Sequence, residues 1–202
     1  IDIFDLLIDD NITYNNIQKS CDNGDLFAFD LNRDILEAPD GTLPDNDYIT
    51  STLNKCLIGN LIFSWNYAFN LNSINQLPNN AKDFFDTKKF PGKRRIHTWA
   101  NALIEMALVA DGVKKKDVYK VMSTPEGIDR AFAKLDTIKD HVIFWSAGSK
   151  PLEMISSGEA VMALAYNGRI GAAILQDGKK FNYIWDGQVL EQEYLVVIKG
   201  TK

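Results

Sequence analysis

Apolar residues recur at helical spacing in two long stretches of the chain. Between Thr98 and Asp111, the residues Trp99, Ala102, Leu103, Met106, Ala107 and Ala110 share one helical face, and Gly112 stands where a C-terminal cap is expected. The second stretch carries Ile128, Ala131, Phe132, Leu135 and Ile138. It opens on Ser123-Thr124-Pro125-Glu126, in which Ser123 reads as the cap, Pro125 sits in the first turn and Glu126 completes a capping box. Shorter helices are predicted over Thr13–Lys19, ended by Asn23-Gly24, over Pro151–Ser157, closed by Gly158, and over Gly168–Leu175. The apolar and aromatic run Leu57–Phe69, interrupted only by Gly59, Asn60, Ser64 and Asn66, reads as a buried strand, and further strands are predicted at Val142–Trp145, Ala160–Tyr166, Phe181–Trp185 and Tyr194–Ile198. The stretch Ile1–Ile8 reads as a buried strand or the start of a short helix. Turn formers crowd residues 30–50 and predict irregular surface chain. Strands alternating with helices indicate an α/β fold with a largely parallel sheet.

Composition adds bounds to that picture. Of 202 residues 46% are apolar and 24% charged, enough for a sizeable core. The formal charge of −5 does not support a nucleic-acid-binding surface built on overall basicity. No apolar run approaches the roughly 20 residues of a membrane-spanning helix, so direct membrane insertion is not expected. Charge is distributed unevenly: residues 1–60 hold 12 acids and 3 bases, a net of −9, and residues 61–202 hold 15 acids and 19 bases, a net of +4. The acidic half reads either as a solvated surface or as a field that attracts cations. The chain begins Ile1-Asp2-Ile3-Phe4, and neither an initiating Met nor a signal peptide is visible.

Catalytic and metal chemistry find little support. His97 and His141 have no Cys, Asp or Glu at metal-ligand spacing, and structural roles are expected for both. Cys21 and Cys56 read as a disulfide of an exported protein or as two buried thiols. There is no glycine-rich phosphate loop and no nucleophile elbow. Aromatic residues instead stand beside turn residues at predicted strand ends: Trp65, Trp145 before Ser146-Ala147-Gly148-Ser149, and Tyr166 before Asn167-Gly168-Arg169. The carboxyl ends of strands form the ligand crevice of open α/β sheets. Aromatic faces with nearby carboxylates suit an organic cation; taken singly, each ring also fits plain core packing.

Five strings carry a resemblance. Lys88-Lys89-Phe90-Pro91-Gly92-Lys93-Arg94, Ala107 to Val113, Asp129 to Asp136, Ser157-Gly158-Glu159 with Ala165 to Ile170, and Glu193-Tyr194 through Gly200 resemble the bacterial extracellular solute-binding proteins of the spermidine/putrescine type, which serve ABC importers. The resemblance is dense from Phe84 to Gly200 and looser before Lys55. It implies a periplasmic-binding-protein-like fold of type II: two hinged lobes with mixed, largely parallel sheets, closing on ligand in the cleft between them. Residues 1–66 would form part of lobe 1, residues 67–191 a nearly complete lobe 2, and residues 192–202 the return crossover. Lobe 1 would be incomplete, and the chain a fragment of a longer exported precursor.

Carried over position by position, the resemblance implies a ligand set of Ser64, Trp65, Trp145, Ser146, Tyr166, Asn167, Arg169 and Glu193. Glu193 matches an Asp that receives a ligand ammonium in polyamine binders. The loop after Trp145 lacks the acids of some members, and Arg169 stands where polyamine binders have a small hydroxyl residue. A guanidinium there favours a carboxylate or makes a salt bridge across the hinge. The resemblance also strengthens the Cys21–Cys56 pairing. It implies a non-enzymatic periplasmic protein that captures a small cationic solute, a polyamine such as putrescine or spermidine, for ABC permease subunits, with no cofactor. The alternatives are a binder of an amino acid or organic anion, and an α/β enzyme.

Overall fold

The computed structural model describes residues 11–49 and 52–200, and the expected element at Ile1–Ile8 lies outside them. The chain divides into two compact units, Ile1–Phe63 with Glu191–Lys202 and Ser64–Leu190.

In the first unit, helix α1 (Asn11–Asp22) is followed by Gly24 in the left-handed conformation that a helix exit requires. Residues 30–50, expected to be irregular, contain two single-turn helices, α2 (Leu31–Asp34) and α3 (Pro44–Asp47). Cys21 and Cys56 are joined as a disulfide. The bridge lies in an apolar cluster with Ile17, Leu26, Leu57, Tyr194 and Val196, so it staples α1 to the chain entering the first strand. Antiparallel contact between Leu26 and Ile198 brings the C-terminal segment onto the same cluster.

The second unit is built on a mixed five-stranded sheet of order β3-β2-β4-β1-β5. Strand β1 (Ile58–Asn70) enters it from the first unit and runs antiparallel to β4 (Met162–Tyr166). Between them in sequence lie α4 (Ala81–Phe85), β2 (Arg94–His97), α5 (Leu103–Ala110), α6 (Val118–Met122), α7 (Pro125–Asp136), β3 (Val142–Trp145) and α8 (Lys150–Ser157). After β4 come α9 (Asn167–Leu175) and β5 (Phe181–Leu195), which returns to the first unit. Strand β2 is parallel to both β3 and β4.

The sheet is covered on both faces, as parallel pairs require. On one face Ala68, Ala163 and Ala165 present small side chains against Ile155 of α8 and Ile170 and Ala173 of α9. On the other, Tyr67 packs on Phe84 of α4 at 4.6 Å and donates through its hydroxyl to the Met106 carbonyl of α5 at 3.3 Å. Helix α5 is buried nearly all round, which accounts for its apolar composition.

Five expectations are corrected. Strand β2 was missed because Arg94-Arg95-Ile96-His97 has no apolar alternation, yet all four residues are buried. The guanidinium of Arg94 makes this tolerable by donating to the carbonyls of Phe84 (2.8 Å), Gly92 (2.9 Å) and Asp86 (3.2 Å). The helix expected from Thr98 begins only at Leu103, after Ala102 at φ 60°, so Trp99 lies outside it. The cap of α7 is Thr124, whose hydroxyl accepts from the Gly127 N–H at 3.1 Å, while Ser123 donates to Lys120 at the end of α6. Phe132, placed on the apolar stripe of α7, is 55% exposed. Strand β5 runs unbroken from Phe181 to Leu195 through Gly187 at φ 76°, so it joins the strand expected at Phe181–Trp185 to the first two residues of that expected at Tyr194–Ile198. Glycine's access to that region lets the ladder continue through a turn-like Asp-Gly pair.

Candidate functional site

Pairing between β2 and β4 covers only Arg94↔Met162 and Arg95↔Ala163. Beyond it, β2 continues with β3 as far as His97↔Trp145, and β4 continues with β1 as far as Tyr166↔Trp65. The two pairs therefore part at the carboxyl ends of β2, β3 and β4. A gap of this kind is where an open α/β sheet holds a ligand.

Aromatic rings fill the gap. Trp65 is at its centre, 4.2 Å from Tyr166, 4.5 Å from His97, 6.0 Å from Trp145 and 6.4 Å from Trp99, measured between ring centroids. His97 stacks on Trp99 at 4.9 Å, and Trp145 meets Trp99 edge-on at 5.6 Å. Trp65, His97 and Trp145 are buried, whereas Trp99 and Tyr166 are half-buried and turn part of their surface to solvent. The buried three are thus a floor and the outer two are walls. Burial pushes the His97 imidazole down to about 4, opposed only in part by the Trp99 backbone, so at neutral pH the cluster carries no histidine charge.

Polar groups surround these rings. The loop after β3, Ser146-Ala147-Gly148-Ser149, passes over the start of α9: a Cβ on Gly148 would stand 3.1 Å from Arg169 Nε and 3.1 Å from the Tyr166 ring. Arg169 is exposed and, among the described residues, has no ion-pair partner. Lys150, by contrast, is neutralised by Glu153 at 2.7 Å. Arg169 also lines a groove of about 580 Å³ between α8 and α9, with Glu153, Ser156, Lys179 and Phe181. Ser64 is buried, and its N–H donates to Asn167 Oδ1 at 2.9 Å. Ser146 is exposed. Glu193 belongs to the other unit, where it accepts a hydrogen bond from Asn60.

The structure thus brings together Ser64, Trp65, Trp145, Tyr166, Asn167 and Arg169 in the Ser64–Leu190 unit. Sequence reasoning left Trp99 out of this cluster because it was read as a helix face, and His97, read as a structural histidine, is buried within it. Their spacing in Ile96-His97-Thr98-Trp99, directly after the basic Lys88–Arg95 stretch, was the available signal. No group of three His, Cys, Asp or Glu side chains among the described residues has metal-holding geometry, and no helix among them is long and apolar enough to cross a membrane.

Comparison with known proteins agrees with this architecture. The family model of bacterial extracellular solute-binding proteins matches residues 23–202. Over 154 residues, 76% of this chain and 44% of the relative, the sequence is 40% identical to the gamma-aminobutyric acid-binding protein of Pseudomonas aeruginosa. Among solved structures it is similar to the GABA receptor Atu4243, with 34% identity, a TM-score of 0.72, and coverage of 91% of this chain and 53% of that one. A spermidine/putrescine-binding protein, PotD of Streptococcus pneumoniae, is 14% identical with a TM-score of 0.67, covering 92% of this chain and 55% of that one, a likeness of fold alone. The chain spans about half the length of these relatives. With its mixed α/β fold of the periplasmic-binding-protein type, the chain belongs to the bacterial extracellular solute-binding proteins, a family of transport binders and not of enzymes.

Proposed function

We propose that the protein of which this chain is a part captures a small zwitterionic amino acid of the 4-aminobutyrate class in the periplasm and presents it to ABC permease subunits. The observation that carries this reading is Arg169, a guanidinium without an ion-pair partner among the described residues, held beside Tyr166 under the Gly148 loop. A guanidinium pairs with a carboxylate through two parallel N–H donors. The exposed parts of Trp99 and Tyr166 suit the alkyl chain and ammonium of the same molecule. Two relatives named for γ-aminobutyrate support the same class. In this reading the two compact units correspond to the two lobes, and Ser64, Trp65, Trp145, Ser146, Tyr166, Asn167, Arg169 and Glu193 form the ligand set.

A polyamine is the second reading. It rests on Glu193, a carboxylate suited to an ammonium group, and on the aromatic rings, and it leaves Arg169 without a role. Calorimetric titration of the full-length protein with 4-aminobutyrate, putrescine, spermidine and a panel of amino acids separates the two. Saturable heat with an amino acid, lost in Arg169→Met, is the expected result. Heat with a diamine and none with any amino acid sinks the amino-acid reading.

A further inference from the structure

The sequence from Thr98 to Asp111 has the pattern of one helix, with Trp99, Ala102, Leu103 and Met106 on its apolar face. The structure breaks that pattern at a single residue. Ala102 has φ 60° and ψ −35°, and among the described residues it is the only one other than glycine with positive φ. The Asn101 carbonyl accepts from the Leu103 N–H at 2.7 Å, which closes a three-residue turn on Ala102, near the rare and strained γ form. A Cβ makes this region costly for alanine, whereas glycine enters it freely. The first turn of α5 holds the strained residue in place: Ile104 N–H donates to the Ala100 carbonyl at 3.2 Å and Met106 N–H to the Ala102 carbonyl at 2.9 Å. Because the helix stops at Leu103, Trp99 leaves the face of α5 and stacks on His97 at 4.9 Å, with Trp145 edge-on at 5.6 Å. Local pattern and tertiary placement thus oppose each other at a wall of the aromatic site, the kind of place where such conflicts serve function. Thr98, exposed and carrying a hydroxyl, stands where it would cap the longer helix.

We propose that Ala102 is a positioning residue at the pivot of a turn-to-helix switch. In the turn state, the one in the structure, Trp99 is a wall of the cluster. In the other state Ala102 relaxes to helical dihedrals, α5 extends back to a Thr98 cap, and Trp99 is withdrawn. A solute held against Trp99 favours the turn state, so binding holds the strain that solute release lets go. The inference rests on the proposed binding of a solute against Trp99 and Tyr166, and it adds which wall moves and what drives it.

The test is fluorine NMR on the full-length protein labelled with 5-fluorotryptophan, the Trp99 signal being assigned by its loss in Trp99→Phe. Without solute the wild type shows two Trp99 lines, one packed and one withdrawn; a purely structural Ala102 would give one. Ala102→Gly removes the Cβ cost of the turn and weakens the extended helix, so the ratio moves about tenfold toward the packed line, the scale of relieving one alanine from a left-handed conformation. Adding 4-aminobutyrate moves the wild-type ratio the same way. By calorimetry Ala102→Gly binds 4-aminobutyrate more tightly than the wild type, because a larger fraction is competent to bind. Should Ala102→Gly fail to fold, Ala100→Gly, at an exposed position, carries the test by weakening the extended helix alone and moves the ratio in the same direction by a smaller factor. A single Trp99 line that neither glycine variant nor solute moves, or weaker binding of 4-aminobutyrate by Ala102→Gly, overturns the proposal. Two lines redistributed by Ala102→Gly, but by putrescine and by no amino acid, defeat the amino-acid reading and leave the switch standing.

Discussion

His97 sits fully buried among three tryptophans with its imidazole held near 4, well below the ordinary histidine range. The folded state binds its proton only near pH 4, whereas the unfolded chain binds one near 6.5, so between these values the unfolded state holds more protons. Stability is then full above about pH 6.5 and is lost as pH falls toward 4, by roughly 3 kcal/mol for a shift of this size. Urea melts at pH 7.5 and pH 4.5 should show this loss in the wild type and a much smaller one in His97→Gln; equal losses would exclude His97 as the cause. Gly148 is informative in a different way. Its missing Cβ leaves room for Arg169 Nε and the Tyr166 ring, both of which would be 3.1 Å away. Gly148→Ala is expected to change stability by under about 0.5 kcal/mol, since Arg169 is exposed and Tyr166 only half-buried, while under the proposed amino-acid binding the affinity for 4-aminobutyrate is expected to fall about tenfold as Arg169 is displaced. Affinity equal to that of the wild type would show that Arg169 does not need this packing.

Among the elements, β2 and α7 show where local reading succeeds and fails. Binary patterning located β4, whose apolar run is buried on both faces, and the edge strand β3 by its apolar run although Phe144 is exposed, and it passed over β2 because a buried arginine looks like a surface residue until its partners are known. Those partners are carbonyls of Phe84, Asp86 and Gly92, which surround the chain entering β2 and belong to no sequence pattern. Burial also lowers the Arg94 guanidinium to about 10, still charged at neutral pH. Arg94→Met would leave these acceptors unsatisfied and should cost about 3 kcal/mol or more by chemical denaturation. Arg94→Lys, which cannot fork to several carbonyls, should recover only part of that. For α7 the sequence offered two adjacent hydroxyls. Thr124 caps the helix and Ser123 closes α6, so Thr124→Ala should cost about 1 kcal/mol and Ser123→Ala clearly less. The reverse order in thermal melts would restore Ser123 as the cap.

At the scale of the molecule, the disulfide lies within one compact unit and the aromatic cluster within the other. Closing a loop between Cys21 and Cys56, 35 residues apart, restricts the unfolded chain by about 4 kcal/mol in the loop-entropy account. Reduction, or the Cys21→Ser/Cys56→Ser variant, should therefore lower the unfolding midpoint of the Ile1–Phe63 unit. The near-ultraviolet dichroism of the tryptophan cluster should persist to higher denaturant. Simultaneous loss of both signals at the lowered midpoint would show that the units unfold together.

Sequence alone determined the α/β class, most of the helices and strands, the aromatic residues at strand ends, and the family, because these follow from local periodicity, turn chemistry and the order of short strings along the chain. Tertiary structure decided what depends on partners distant in sequence. It set the parting of β2 from β4 that creates the gap and the return of Trp99 and His97 to Trp65. It also decided the hydrogen bond by which the Ser64 N–H holds Asn167 Oδ1. Hydrogen bonds and ring contacts between positions about 30 to 100 residues apart leave no trace in local composition, and they assemble the aromatic cluster and its polar surround.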